Sequence, residues 1–204
     1  MSPIVGVIIS YLAGSIPSAY LAGKLRGIDL RQHGSGNLGA TNVVRVLGPK
    51  IGAVVFIADL MKGFLPVYFL PRYTETLRPE LWALVYGAAA ILGHVKPIFL
   101  LWKGGGKGVA TASGVFLAFA FVPMLIAEVF WIAVFYFTRY VSLASLVGAA
   151  VLPLAILILY REPRSPVFIA SVIIAAFVFW THRANIGRLR RGEEHKFVKK
   201  ETAA

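Results

Sequence analysis

Three short polar segments interrupt an otherwise apolar chain, and each carries residue types suited to handling phosphate. The most concentrated is Lys103-Gly104-Gly105-Gly106-Lys107-Gly108. Successive glycines let backbone N–H groups turn inward as an anion nest, and the lysines add mobile positive charge. The pattern is not a nucleotide-binding P-loop. That motif needs Ser or Thr directly after its lysine, whereas Gly108 follows Lys107, and no strand precedes the loop. General phosphate binding survives, with Lys107 preferred over Lys103 as the group that reaches the anion. A helix beginning near Lys107 would place Thr111 on the same face and add its positive end. The plain alternative is a flexible link whose lysines mark the inner leaflet.

The second segment is Gly34-Ser35-Gly36-Asn37-Leu38-Gly39-Ala40-Thr41-Asn42, followed by Val43-Val44-Arg45. Its glycines permit close approach of backbone to a ligand, while Ser35, Asn37, Thr41 and Asn42 offer hydrogen bonds. If a helix starts at Thr41, Arg45 lies on the same face, and its planar fork suits phosphate. A simple inter-helix turn would need fewer specialised residues. The third segment, Thr181 to Arg188, places His182 and Asn185 three residues apart at the end of an apolar run, where both can face one pocket. Taken alone, a histidine there reads as a helix cap or hydrogen-bond partner. The four histidines, His33, His94, His182 and His195, lack ligand spacing with carboxylates, so neither a metal nor a cofactor is expected.

These segments need elements to hold them, and composition says which kind. Of 204 residues, 58% are hydrophobic and only 15% charged, far from the balance of a soluble domain. A membrane-spanning helix takes about 20 mostly apolar residues. Candidate spans run over 3–24, 50–70, 80–102, 107–122, 123–138, 141–160 and 166–182, with Pro123 expected to supply the break between the fourth and fifth. The expected fold is therefore all-α, a polytopic integral membrane bundle of seven transmembrane helices forming a single domain. With the N-terminus outside, eight of the 21 basic residues fall in inside loops and seven more in the C-terminal tail, against four in outside loops. Seven spans so oriented leave the C-terminus in the cytoplasm. They also put three stretches, 26–49, 103–111 and 182–196, on one cytoplasmic face. Reading 107–138 as one helix would separate the glycine loop from the basic tail.

The net charge of +12 does not indicate a nucleic-acid partner, because long uncharged runs dilute it. The absence of cysteine excludes disulfides and thiol catalysis. Within the spans, Asp59 and Lys62 are three residues apart and suit either a bundle-stabilising ion pair or a catalytic role. His94 and Lys96 approach the inner boundary, where they could edge the site, and Glu128 receives no role. Small residues such as Ala88, Ala89, Ala90, Ser113 and Gly114 would admit an acyl chain laterally or serve helix packing.

Together the three segments resemble those of the bacterial acyl-phosphate:glycerol-3-phosphate acyltransferases, the PlsY family, over nearly the whole chain. The resemblance rests on Gly-Ser-Gly-Asn-x-Gly-Ala-Thr-Asn-x-x-Arg at 34–45, the glycines of 103–108, and His-Arg-x-Asn-Ile-x-Arg-Leu-x-x-Gly-x-Glu at 182–194. It implies an enzyme of the bacterial inner membrane with its active site on the cytoplasmic face. That enzyme would move an acyl group from acyl phosphate to the 1-hydroxyl of glycerol 3-phosphate, giving lysophosphatidic acid and inorganic phosphate. Carried over by motif, Ser35, Arg45, Lys107, His182 and Asn185 are expected to be catalytic. Gly36, Asn37, Thr41, Asn42, Lys103, Gly104, Gly105, Gly106, Gly108 and Thr111 are expected to bind substrate, and Glu194 to brace the loops. Membrane lipid is the remaining partner. Another large class of glycerolipid acyltransferases has an H-x-x-x-x-D pattern. Here Leu38, Phe99, Gly187 and Lys200 stand five residues after the histidines, which favours an acyl-phosphate donor over a thioester.

An acyl phosphate is already activated, so such an enzyme mainly aligns two substrates and stabilises negative charge. The hydroxyl proton passes either to the departing phosphate or to His182 as general base. An acyl-enzyme at Ser35 ranks last, because no base is fixed beside it. The competing class is a carrier for a small anion or lipid phosphate. That would call for internal repeats and helices broken at mid-membrane, whereas here the polar residues gather at one face. A purely structural subunit explains none of the three motifs.

Overall fold

The computed structural model describes residues 1–197, and among them every regular element is helical. Ten α-helices follow in order: α1 (Pro3–Ser15), α2 (Ser18–Lys24), α3 (Ala40–Leu47), α4 (Pro49–Phe69), α5 (Pro79–Val95), α6 (Val109–Phe119), α7 (Phe121–Thr138), α8 (Val141–Tyr160), α9 (Pro166–Thr181) and α10 (Arg183–Arg190). Proline opens α1, α4, α5 and α9, where its missing N–H costs nothing and its fixed φ suits the first turn. Gly48, at φ 91°, lets α3 end and α4 begin without a linker.

Five stretches are long and apolar enough to cross a membrane: Pro3–Lys24, Pro49–Tyr73, Pro79–Leu100, Phe121–Thr138 and Val141–Tyr160. A sixth arises if α9 and α10, bent by 60° at His182, are counted together. The fourth segment expected from sequence forms only the 11-residue α6. At about 1.5 Å per residue that helix is roughly half the thickness of a hydrocarbon core. The break before α7 also differs from expectation. It falls at Ala120, whose φ and ψ are −140° and 66°, while Pro123 sits in the first turn of α7. Proline is harmless there because the first N–H groups of a helix have no internal partner.

The chain forms two compact units, Met1–Phe121 and Val122–Ala204. In the first, α4 packs along α6 and α1 along α5. Both contacts bring backbones together through glycine. A Cβ on Gly63 would overlap the Thr111 carbonyl oxygen, one on Gly114 that of Leu60, and one on Gly14 that of Ala90. Close approach through small residues is how helices associate when lipid removes the hydrophobic drive between them. Gly114 and Ala90 therefore serve packing, and Ala89 and Ala90 are buried. Beneath the Gly34–Arg45 segment lies a cluster of Ala19, Leu30, Leu38, Val43 and Val55.

The second unit is α7 to α10 with the start of the tail. Trp131 donates to Ser145 Oγ (3.2 Å), linking α7 to α8. The tail returns to the chain between those helices, where Phe197 N donates to the Arg139 carbonyl (2.8 Å) and the Phe197 ring meets Phe135 edge-on.

Candidate active site

The Gly34–Arg45 segment is fastened from inside by Asn42. Its Oδ1 accepts from Ser35 N (2.8 Å), and its Nδ2 donates to the carbonyls of Leu30 (3.2 Å) and His33 (3.0 Å). Asn42 is 1% exposed, so this side chain organises the loop around it. Gly34 is required on two counts, a φ of 61° and a Cβ position that Asn42 Oδ1 already fills. Ser35 is held at the surface, and Asn37, Thr41 and Arg45 are half-buried. Thr41 and Arg45 lie in α3, as their spacing suggested. At the edge of the loop, Arg31 forks onto Asp29 (2.7 Å) and lies over the Tyr20 ring. The Arg31 side-chain and backbone hydrogen bonds hold the Asp29 carboxyl down at about 2, and the same pairing raises Arg31.

The glycine loop follows a strained entry. Leu101 and Trp102 both have left-handed backbones, φ 52° and 59°. The turn is pinned by Trp102 Nε1 donating to Tyr11 Oη (2.8 Å) and Tyr11 Oη donating to the Lys96 carbonyl (2.9 Å). Beyond it the backbone lies directly on the end of α5. Gly106 N donates to the His94 carbonyl (3.3 Å), so that amide is already engaged. A Cβ at Gly105 would overlap the Val95 carbonyl oxygen, and one at Gly106 would overlap the His94 ring. These glycines are needed because no side chain fits.

Gly104 approaches Arg31 and Leu38, so the first and second segments meet within the first unit. They open onto a small cleft lined by the α1–α2 break, Leu38, Asp59, Lys62, His94 and Gly104–Gly106. Lys103 is exposed, and Lys107 is half-buried. The helix after the loop starts at Val109, two residues past Lys107, with Gly108 in a left-handed cap, so Lys107 itself precedes the first turn. Lys107 and Thr111 therefore do not share a helical face. Thr111 is fully buried against Gly63, with no hydrogen-bond partner for its Oγ1 among the described residues.

Sequence reasoning left Asp59 and Lys62 open and put His94 at the boundary, where it could edge the site. The fold places all three in the wall of this cleft. Lys62 Nζ lies 2.8 Å from Asp59 Oδ1, off the hydrogen-bonding direction of that oxygen, and donates to the Ile16 carbonyl (3.1 Å). His94 Nδ1 stands 3.7 Å from the same carboxylate oxygen. The i, i+3 spacing of Asp59 and Lys62 signalled the pair, but nothing local connects either residue to His94.

In the second unit, His182 occupies the bend between α9 and α10 and is 3% exposed. Its Nδ1 lies 2.8 Å from the Val178 carbonyl. A carbonyl can only accept, so Nδ1 carries a proton, and when the ring is neutral the lone pair is on Nε2. Glu194 gathers the neighbouring groups. Its Oε1 accepts from Asn185 Nδ2 (2.6 Å) and Ser142 Oγ (2.8 Å), and its Oε2 from Arg188 Nε (2.7 Å). Burial pushes this carboxyl up, but the hydrogen bonds from Asn185, Ser142 and Arg188 outweigh it, and the net shift is downward. Among the described residues, no three side chains of the His, Asp and Glu type converge as a metal site.

Comparison with known proteins gives the family. The model of the glycerol-3-phosphate acyltransferase family matches residues 4–192, spanning both units. A glycerol-3-phosphate acyltransferase of Geotalea daltonii is 46% identical over 200 residues, covering 96% of this chain and 98% of the relative. That of Aquifex aeolicus is 43% identical over 192 residues, covering 94% and 97%. Two crystal structures of PlsY, an integral membrane glycerol 3-phosphate acyltransferase, share the fold. The glycerol 3-phosphate form has a TM-score of 0.88 at 38% identity, covering 96% of each chain. The lysophosphatidic acid form has a TM-score of 0.83 at 37% identity, covering 96% of this chain and 95% of the other. By sequence along its length and by fold, this membrane protein belongs to the PlsY family of glycerol-3-phosphate acyltransferases.

Proposed function

We propose that this enzyme transfers a fatty acyl group from an acyl phosphate to the 1-hydroxyl of glycerol 3-phosphate, releasing lysophosphatidic acid and inorganic phosphate. This would be the first acylation of phospholipid synthesis, carried out by one transferase domain at the cytoplasmic face of a bacterial inner membrane. Seven spans with the N-terminus outside is the topology that places the three segments there. The observation that carries the reading is the glycine loop, whose backbone at Gly105 and Gly106 lies against the end of α5 with no room for a side chain and meets the Gly34–Arg45 segment at the rim of a small cleft. The names of the two solved relatives, one with glycerol 3-phosphate and one with lysophosphatidic acid, support the acceptor and the product. The missing H-x-x-x-x-D pattern supports acyl phosphate as donor.

In this mechanism the hydroxyl oxygen attacks the acyl carbon, an ester bond forms, and the bond from that carbon to the phosphate oxygen breaks. Arg45, Lys107 and the 104–108 loop neutralise phosphate charge, and Ser35, Gly36, Asn37 and Thr41 orient it. Lys103 adds charge at the rim. The proton goes to the departing phosphate or to Nε2 of His182, with Asn185 held beside that residue by Glu194. Because the donor is activated, alignment supplies most of the acceleration.

The test is turnover by purified protein given glycerol 3-phosphate and palmitoyl phosphate, with lysophosphatidic acid and inorganic phosphate formed in equal amounts. Palmitoyl-CoA in place of palmitoyl phosphate is expected to give no product. No turnover, with substrate-stimulated flux in liposomes instead, would replace the enzyme by a carrier.

A further inference from the structure

We propose that Asp59, Lys62 and His94 are positioning residues that set the height of the glycine loop and thereby the affinity for glycerol 3-phosphate, an inference that rests on the function proposed above. All three are buried, with exposures of 2%, 8% and 6%. Burying ionisable groups in an apolar bundle is costly, and a buried ion pair is commonly no more stable than well-packed apolar residues of the same volume. Stability is therefore a poor reason for their presence.

Their contacts give a better one. Lys62 joins two elements, pairing with Asp59 of its own helix and donating to the Ile16 carbonyl at the break between α1 and α2. Asp59 faces the Nδ1 edge of His94 from α4. The opposite edge of the ring, Nε2, stands where a Cβ on Gly106 would be, and the His94 carbonyl accepts from Gly106 N. The imidazole is thus a spacer between a buried carboxylate and the loop backbone. Its tilt decides how low the loop can lie. A ring of this size fixed on one side by charge and pressed on the other by backbone transmits small displacements, because packed interiors do not deform freely.

Two variants separate positioning from bulk stability. Asp59→Leu with Lys62→Met removes both charges and keeps apolar volume, so folding and unfolding temperature are retained. His94→Gln keeps a polar side chain but loses the flat wall beneath Gly106. In both, the KM for glycerol 3-phosphate is expected to rise at least about tenfold with kcat and the KM for palmitoyl phosphate little changed, since a small misplacement acts on the anion the loop holds. A KM for glycerol 3-phosphate equal to that of the wild type, in a folded variant, overturns the proposal.

A second readout does not depend on the substrate. Backbone amide exchange at residues 104–106 is expected to accelerate by at least about tenfold in both variants, while amides in the middle of α5 keep wild-type protection. If the wild-type protein fails to turn over glycerol 3-phosphate, the function falls, and exchange at the loop alone then decides whether the cluster positions it. Unchanged exchange overturns it.

Discussion

Replacing Gly105 by alanine places a methyl group 2.7 Å from the His94 carbonyl oxygen and 2.6 Å from the Val95 carbonyl carbon. Carbon–oxygen contacts normally sit at about 3.3–3.6 Å, so the His94 contact alone demands a shift of about 0.6 Å or more. Both obstacles are backbone atoms in the last turns of α5, a helix packed along its length on α1. The helix does not yield, and the loop must lift. A misplacement approaching 1 Å in a positioning element costs on the order of 100-fold in rate. The variant is therefore expected to lose about that much kcat/KM for glycerol 3-phosphate, most of it through KM. Gly104→Ala is the informative neighbour. Its added methyl meets side chains alone, Arg31 at 3.3 Å and Leu38 at 3.7 Å, but its φ of 81° costs an L-residue about 1–2 kcal/mol. That corresponds to a loss of about 5- to 30-fold, smaller than at Gly105. Steady-state kinetics with glycerol 3-phosphate varied at saturating palmitoyl phosphate measures both. Wild-type KM in Gly105→Ala would refute the claim that loop height sets the affinity. A larger loss at Gly104 than at Gly105 would make backbone strain the controlling feature instead.

Asn42→Ala leaves Ser35 N and two carbonyls without their partner, and is expected to cost about 2–3 kcal/mol and to speed amide exchange across 33–38. Wild-type exchange there would show that the loop stands without its fastener. Glu194 gives a pH signature. Its folded pKa lies below the ordinary 4.5, so its stabilisation is present above that value and is lost as pH falls through the folded value. Unfolding temperature in detergent should fall in that acid range, and Glu194→Gln should flatten that part of the profile. An identical acid slope in the variant would assign the effect to other carboxylates. His182→Gln preserves a donor toward the Val178 carbonyl but removes the imidazole lone pair. If His182 accepts the hydroxyl proton, kcat falls by about 100-fold or more. Retention of most activity would leave the departing phosphate as the acceptor.

The local features of this chain were legible because they depend on near neighbours. Apolar runs bounded by proline mark the helix starts at Pro3, Pro49, Pro79 and Pro166, and the hydrophobic content alone excludes an ordinary soluble domain. The Thr41–Arg45 spacing became a helical face, and the Asp59–Lys62 spacing an ion pair, because i, i+3 and i, i+4 contacts are properties of one helix. The break near 120 was read from proline, yet the helix ends at Ala120 and proline settles into the next first turn. Propensity marks where a helix tolerates proline more firmly than where it stops.

Sequence by itself determined that the polar residues fall in three segments set among apolar helices, since charge and hydropathy are carried residue by residue. Only the tertiary structure decided what those residues press against. The glycines at 105 and 106 looked like an open nest, and packing shows them forced by α5 and the His94 ring lying under them. Asn42 looked like a ligand contact, and its side chain ties the loop together. The position of His94 near the inner boundary was legible, but its contacts were not, because its neighbours Asp59 and Gly106 come from α4 and from the loop preceding α6. Such contacts exist only once helices distant in sequence have packed, and no spacing rule within one helix encodes them.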